Sequence, residues 1–190
     1  MLNLELVEKF AQIMNITGQD GGFNFDSLGE YPDVLPESEE LVFFYNKCNP
    51  KSGTFVKVGS SAVFFKDVNS LVNIQNGYFP LQENHNDKHS SKSLVVFALK
   101  DDDPIYANTQ VFGTEILCAY ETCDPFVISN TFEEFICALI ELLYIQHVLF
   151  EDEIMDDDFI FLDSFLNTVT EKLSQINGIN VEGFIDFFFG

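Results

Sequence analysis

The side chains in this chain most able to do chemistry are carboxylates, and they come in runs. Asp101-Asp102-Asp103, Glu151-Asp152-Glu153 and Asp156-Asp157-Asp158 each set three acids side by side. Such a run can be a hard-cation site, a field aimed at a cationic partner, or a solvated loop. The Asp triplets lack the alternating ligands and central Gly of an EF-hand loop, so weak divalent binding is the most to expect of them. Adjacent acids on a helix, such as Glu133 and Glu134, point about 100° apart and do not share a site. His85 and His89 lie four apart beside Glu83 and Asp87, which on a helix would make part of a zinc site. Their Asn-rich surroundings read as a loop, a third ligand is not fixed and Lys88 adds an unhelpful charge, so neither a metal nor another cofactor is expected. Cys118 and Cys123 have no second Cys/His pair at zinc-finger spacing. Cys137 falls on or beside an apolar helix face, a poor setting for a thiolate nucleophile. Gly-x-Ser-x-Gly, a Walker-type phosphate loop and His-Glu-x-x-His are all missing, and no catalytic residue is assigned. A carboxylate pair or a Cys-His nucleophile assembled in space would leave no linear motif.

Composition narrows the partner. The 190 residues carry 31 acids against nine basic residues, a net charge of −22, and all nine are Lys. Nucleic-acid binding needs basic groups on phosphates, and an anionic membrane surface repels such a chain equally, so neither is an expected partner. A 46% hydrophobic fraction with 22 Phe is far too apolar for an acidic disordered chain. One domain is expected, burying roughly 70% of its unfolded surface. Glu5 and Glu8 stand where a secretory signal would be positive and then apolar, which points to the cytoplasm. The apolar run 135–150 is interrupted by Glu141, Gln146 and His147 and falls short of the ~20 residues of a membrane span. It reads as a buried helix, and four scattered cysteines read as reduced thiols.

Elements that must position these groups follow from periodicity. Leu2, Leu4, Val7, Phe10, Ala11 and Met14 predict a first helix ending near Gly18 and Gly21-Gly22. Residues 37–46 predict a second, opened by Pro36. Residues 54–58 and 62–65 are β-rich and flank Gly59-Ser60-Ser61, as a hairpin or strand pair. Four more strands are predicted at 94–98, 104–107, 110–112 and 116–120, and their short connections imply antiparallel neighbours. Asn130 and Glu133 form a capping box at the head of a helix with one continuous apolar face. A further helix is predicted from about Asp158, with Gly178 as its C′ residue. The apolar tail 179–190 should dock, as a strand or a short helix. The expected fold is α+β: one mostly antiparallel sheet with N-terminal and C-terminal helices against it, residues 1–190 forming a single domain.

Some of these residues resemble the SUKH superfamily, which includes a fungal regulator of glucan synthesis and many bacterial immunity proteins. Leu35-Pro36 followed by Leu41-Val42-Phe43-Phe44-Tyr45-Asn46 is similar to its Leu-Pro turn and following helix. Residues 94–98 with Asp103-Pro104-Ile105-Tyr106-Ala107 resemble its central strands, and Val111-Phe112-Gly113 its next strand. The most specific match runs from Phe126-Val127-Ile128-Ser129 into Thr131-Phe132-Glu133-Glu134-Phe135. The resemblance spans about 30–145 and leaves 146–190 as an extra helix and tail. It departs from the family where this chain has no Trp and reads Lys47-Cys48-Asn49-Pro50. The resemblance implies binding rather than catalysis: a cytosolic immunity protein neutralising a polymorphic toxin, often a nuclease. The fungal branch implies a second reading, a regulatory or scaffold module.

Charge distribution fits a basic partner. Residues 1–100 carry a net −4, and residues 101–190 carry −18 with Lys172 as their sole base. So one-sided a field slows no encounter with a basic protein such as a nuclease toxin, and it raises the on-rate while costing self-repulsion. The candidate interface is Asp101, Asp102, Asp103, Tyr120, Glu121, Asp124, Phe150, Glu151, Asp152, Glu153, Asp156, Asp157 and Asp158. Phe150, Phe159 and Tyr120 are its candidate apolar anchors, each with core packing as the competing role.

Overall fold

The computed structural model describes residues 2–25, 29–78, 93–120 and 123–190. Among these described residues the fold is α+β, with six α-helices and one six-stranded antiparallel sheet. Helix α1 (Leu4–Ile16) starts on Asn3, whose side chain accepts from the Leu6 N–H, and turns Val7, Phe10, Ile13 and Met14 inward. Helix α2 (Glu39–Cys48) is capped by Ser38 and starts two residues later than the expected 37–46 helix. Strands β1 (Phe55–Val58) and β2 (Ser61–Phe65) form the expected hairpin. The short helix α3 (Leu71–Tyr78), which the sequence reading missed, leads toward β3 (Leu94–Lys100). Then come β4 (Asp103–Asn108), β5 (Glu115–Cys118) and β6 (Phe126–Ser129). Each strand pairs with its sequence neighbours, giving the order β1-β2-β3-β4-β5-β6.

The predicted strand at 110–112 is a turn. Gly113 (φ 82°) and the buried Thr114 (φ 60°) both take the left-handed conformation, which breaks the extended chain before β5 begins. In its place β6, not foreseen, completes the sheet. Helix α4 (Phe132–Tyr144) begins one residue beyond the expected box: Thr131, not Asn130, accepts from the Glu134 N–H, and its hydroxyl donates to the Glu134 carboxylate at 2.9 Å. The apolar run then continues as a π-helical turn, Ile145–Leu149. Helix α5 (Asp163–Leu173) starts five residues after Asp158, so the Asp triplet lies outside its first turn, where Asp163 sits instead. Gly178 (φ 82°) is not its C′ residue. It bends the chain back to the sheet, where Asn130 N donates to Gly178 O at 2.9 Å and Asn180 N to Ile128 O at 3.1 Å. The tail docks as helix α6 (Val181–Phe189), burying Phe184, Phe187, Phe188 and Phe189.

One large core lies between the sheet and α1, α2, α4, α5 and α6, with aromatic contacts running through it from Phe10 and Phe44 to Phe132 and Phe97. Edge-to-face geometry there adds to area burial, about 0.5–1.5 kcal/mol per pair. The other sheet face carries a smaller cluster of Leu94, Val96, Leu99, Tyr106 and Leu117, with Ile74 and Tyr78 of α3 against it.

Candidate interaction face

Strand register decides which loops share an end. Lys100 pairs with both Val63 and Asp103, so the β1–β2 turn and the β3–β4 turn lie side by side. Asp101 seals them: its N–H donates to Ala62 O at 2.8 Å and its carboxylate accepts from Ala62 N at 3.2 Å. Gly59 in the β1–β2 turn donates its N–H to Gln146 Oε1 at 2.8 Å. A Cβ on Gly59 would meet Phe189 at 3.1 Å and Phe161 at 3.2 Å, which brings the π-helical turn, the 155–161 loop and the end of α6 to this same end. Tyr120, following β5, donates its hydroxyl to Asp186 of α6. Asp124 precedes Phe126, which pairs with Cys118 at this end. Carboxylates distant in sequence therefore converge on one pole.

They are not equivalent there. Asp101, Asp102, Asp124, Glu151, Glu153, Asp157 and Asp158 are exposed, and Asp103 is half-buried. Asp152 Oδ1 lies 2.7 Å from His147 Nδ1 and accepts from Gln146 Nε2 at 3.3 Å. The Gln19 amide is oriented by Lys57 N, which donates to its oxygen at 2.7 Å, and by Thr17 O, which accepts from its nitrogen. His147 Nε2 lies 3.0 Å from that nitrogen and 3.2 Å from Lys57 O, while its Nδ1 faces Asp152. Among the described residues this is the one acid–base contact within 4.0 Å, so no lysine sits against Glu151, Glu153, Asp157 or Asp158.

Asp156 is structural too: its Oδ1 accepts from Asp158 N at 3.0 Å and Ile160 N at 2.9 Å, closing the loop that the Met155–Phe161 bridge clamps. The loop holds Phe159 at φ 61° with its side chain 85% exposed, beside Ile160 at 63%. A β-branched and an aromatic side chain held outward on a pinned turn are preorganised to bind.

Of the other proposed anchors, Phe150 is half-buried against Phe165, rings 5.4 Å apart, and Tyr120 packs on Phe126 and Phe187. Glu121, His85 and His89 lie outside the described residues. Sequence reasoning missed Ile160, Gln146 and His147; the polar pair inside the apolar run 135–150 was the available signal. Burial pushes the Cys48 thiol up to about 12 and raises Cys118 further still, so both stay protonated. Among the described residues no cluster of His, Cys, Asp and Glu could hold a metal ion, and no helix is long and apolar enough to cross a membrane. No protein-family model, curated protein or solved structure matches the chain.

Proposed function

We propose that this chain acts by stoichiometric binding of a basic protein, as the SUKH resemblance implies for immunity proteins that neutralise a toxin, plausibly a nuclease, in the cytoplasm. The observation that carries this reading is the acidic pole, where the exposed carboxylates of Glu151, Glu153, Asp157 and Asp158 accompany the outward Phe159–Ile160 turn. Carboxylates steer a cationic partner, and the apolar pair supplies contact once it arrives. On a nuclease, those carboxylates would occupy the Lys and Arg that otherwise hold phosphates.

The test is capture on the immobilised protein from the source organism's lysate, followed by reconstitution of any retained basic protein and stopped-flow association across salt. A single basic protein that binds one to one, and is toxic when expressed alone, is the expected result. Asp157→Lys with Asp158→Lys should slow association about tenfold at low salt without unfolding the protein. Asp156 is left intact because it holds the turn. An unchanged on-rate would remove this pole from the interface. Several weak partners of mixed charge would favour the regulatory module instead.

A further inference from the structure

We propose that His147 is a proton-operated clamp on the acidic loop that follows the π-helical turn. With one proton on its ring the imidazole serves Gln19; with two it joins strand β1 to Asp152. As a regulator of the acidic pole it rests on the function proposed above, but the clamp itself belongs to the free protein and is tested there.

The ring is shut away from bulk water, its side chain only 7% exposed. Nδ1 lies 2.7 Å from Asp152 Oδ1, an acceptor, so this nitrogen carries a hydrogen in both states. Nε2 faces two groups with opposite demands. Gln19 Nε2, 3.0 Å away, can only donate, because Lys57 N orients the carboxamide by donating to its oxygen at 2.7 Å. Lys57 O, 3.2 Å away, can only accept. A lone pair on His147 Nε2 satisfies Gln19 and offers Lys57 O nothing. A proton taken there from solvent satisfies Lys57 O and leaves the Gln19 nitrogen to Thr17 O, 3.1 Å from it. Facing the ring are Asp152 from its own loop, with Glu151 and Glu153 beside it, Lys57 from β1, and the neutral Gln19 with its neighbour Asp20 from the chain after α1. Among the described residues, α4 and α5 place no carboxylate within 4.0 Å of it.

The loop that the clamp holds is strained. Glu151 (φ 50°) and Asp152 (φ 68°) are consecutive left-handed residues, neither of them Gly, and such backbone persists only where surrounding bonds over-determine it. Asp152 N donates to Gln146 O at 2.9 Å and Glu153 N to Phe150 O at 2.8 Å. His147 adds to these through the Asp152 carboxylate, and a charged imidazole strengthens that hold by adding an ion pair to the hydrogen bond. It also offsets one carboxylate of the pole. Acid therefore leaves the pole less negative and its loop firmer.

The test is NMR of the ¹⁵N-labelled full chain between about pH 8 and about pH 5.5, the span in which imidazoles take up protons, with His147→Gln to assign the ring signals. At the alkaline end Nδ1 should carry a hydrogen and Nε2 none. On acidification Nε2 should gain one, and the Gln19 carboxamide and the Val58 amide, which follows the Lys57 carbonyl, should shift with the same midpoint. Exchange of the Asp152 and Glu153 amides, corrected for the intrinsic effect of pH, should slow about threefold in the same step, and His147→Gln should abolish that slowing. A ring that gains no second proton, one doubly protonated throughout, or one that titrates without Gln19 and Val58 following would each overturn the proposal. So would loop exchange with the same pH dependence in His147→Gln. No partner enters these measurements, so a failed capture leaves the clamp standing and a failed clamp leaves the capture result standing.

Discussion

Gln146 shows how much a single amide can fasten at this pole. It is buried, its oxygen accepts from Gly59 N and its nitrogen donates to Asp152, so one side chain joins the π-helical turn to the β1–β2 turn and to the acidic loop. Gln146→Leu keeps the volume and removes both bonds, leaving a Gly59 N–H in a crowded place with no acceptor. That should cost about 1–3 kcal/mol in urea unfolding, with the slope unchanged. If stability were unmoved, water would have to reach Gly59. Thiols give a second reading at this scale. Cys48 and Cys118 are buried and held protonated, Cys137 is half-buried with burial raising it, and Cys123 is exposed. Native alkylation followed by mass mapping should modify Cys123 first and leave Cys48 and Cys118 untouched until the chain unfolds.

Helix α6 is where packing at the element scale is densest in rings. Phe184 stacks tilted on Phe188 at 4.6 Å and reaches Phe135 of α4, tying the tail to the core. Phe184→Ala should destabilise by about 3–5 kcal/mol, read as a lower urea midpoint. A small effect would mean that α6 is a dispensable attachment. This docking was legible from the apolarity of 179–190, though periodicity over so short a run could not separate strand from helix. Helices α1 and α4 and strands β1 to β5 were legible because their apolar spacing is long or strictly bounded. The turn at 110–112 was not: Val111 and Phe112 favour strands locally, and only the left-handed Gly113 and Thr114 break the extension. Acid runs were legible as candidates because their members are adjacent. The contact between Thr114 and Glu40 was hidden because the two lie 74 residues apart in sequence.

At the scale of the whole molecule, the uneven charge of the sequence becomes an uneven charge in space. Asp101 and Asp102 come from one hairpin, Asp124 from the start of β6, and Glu151 to Asp158 from the link into α5, and strand register gathers them all. That concentration is unfavourable for the isolated protein, since like charges repel more when folded than when strung along an open chain. Raising ionic strength shortens the Debye length to about 10 Å at 0.1 M and should relieve the repulsion. The thermal midpoint at neutral pH should therefore rise with added NaCl, by about 2–4 °C per kcal/mol relieved for a chain of this length. KCl should act equally, because screening does not depend on which monovalent cation supplies it. Asp157→Lys with Asp158→Lys should raise the low-salt midpoint and flatten the salt curve. The same salt that stabilises the free protein should slow its capture of a basic partner. Opposite signs in the two measurements are the signature of a surface whose charge serves association at the expense of stability, and a midpoint indifferent to salt would deny the pole that role.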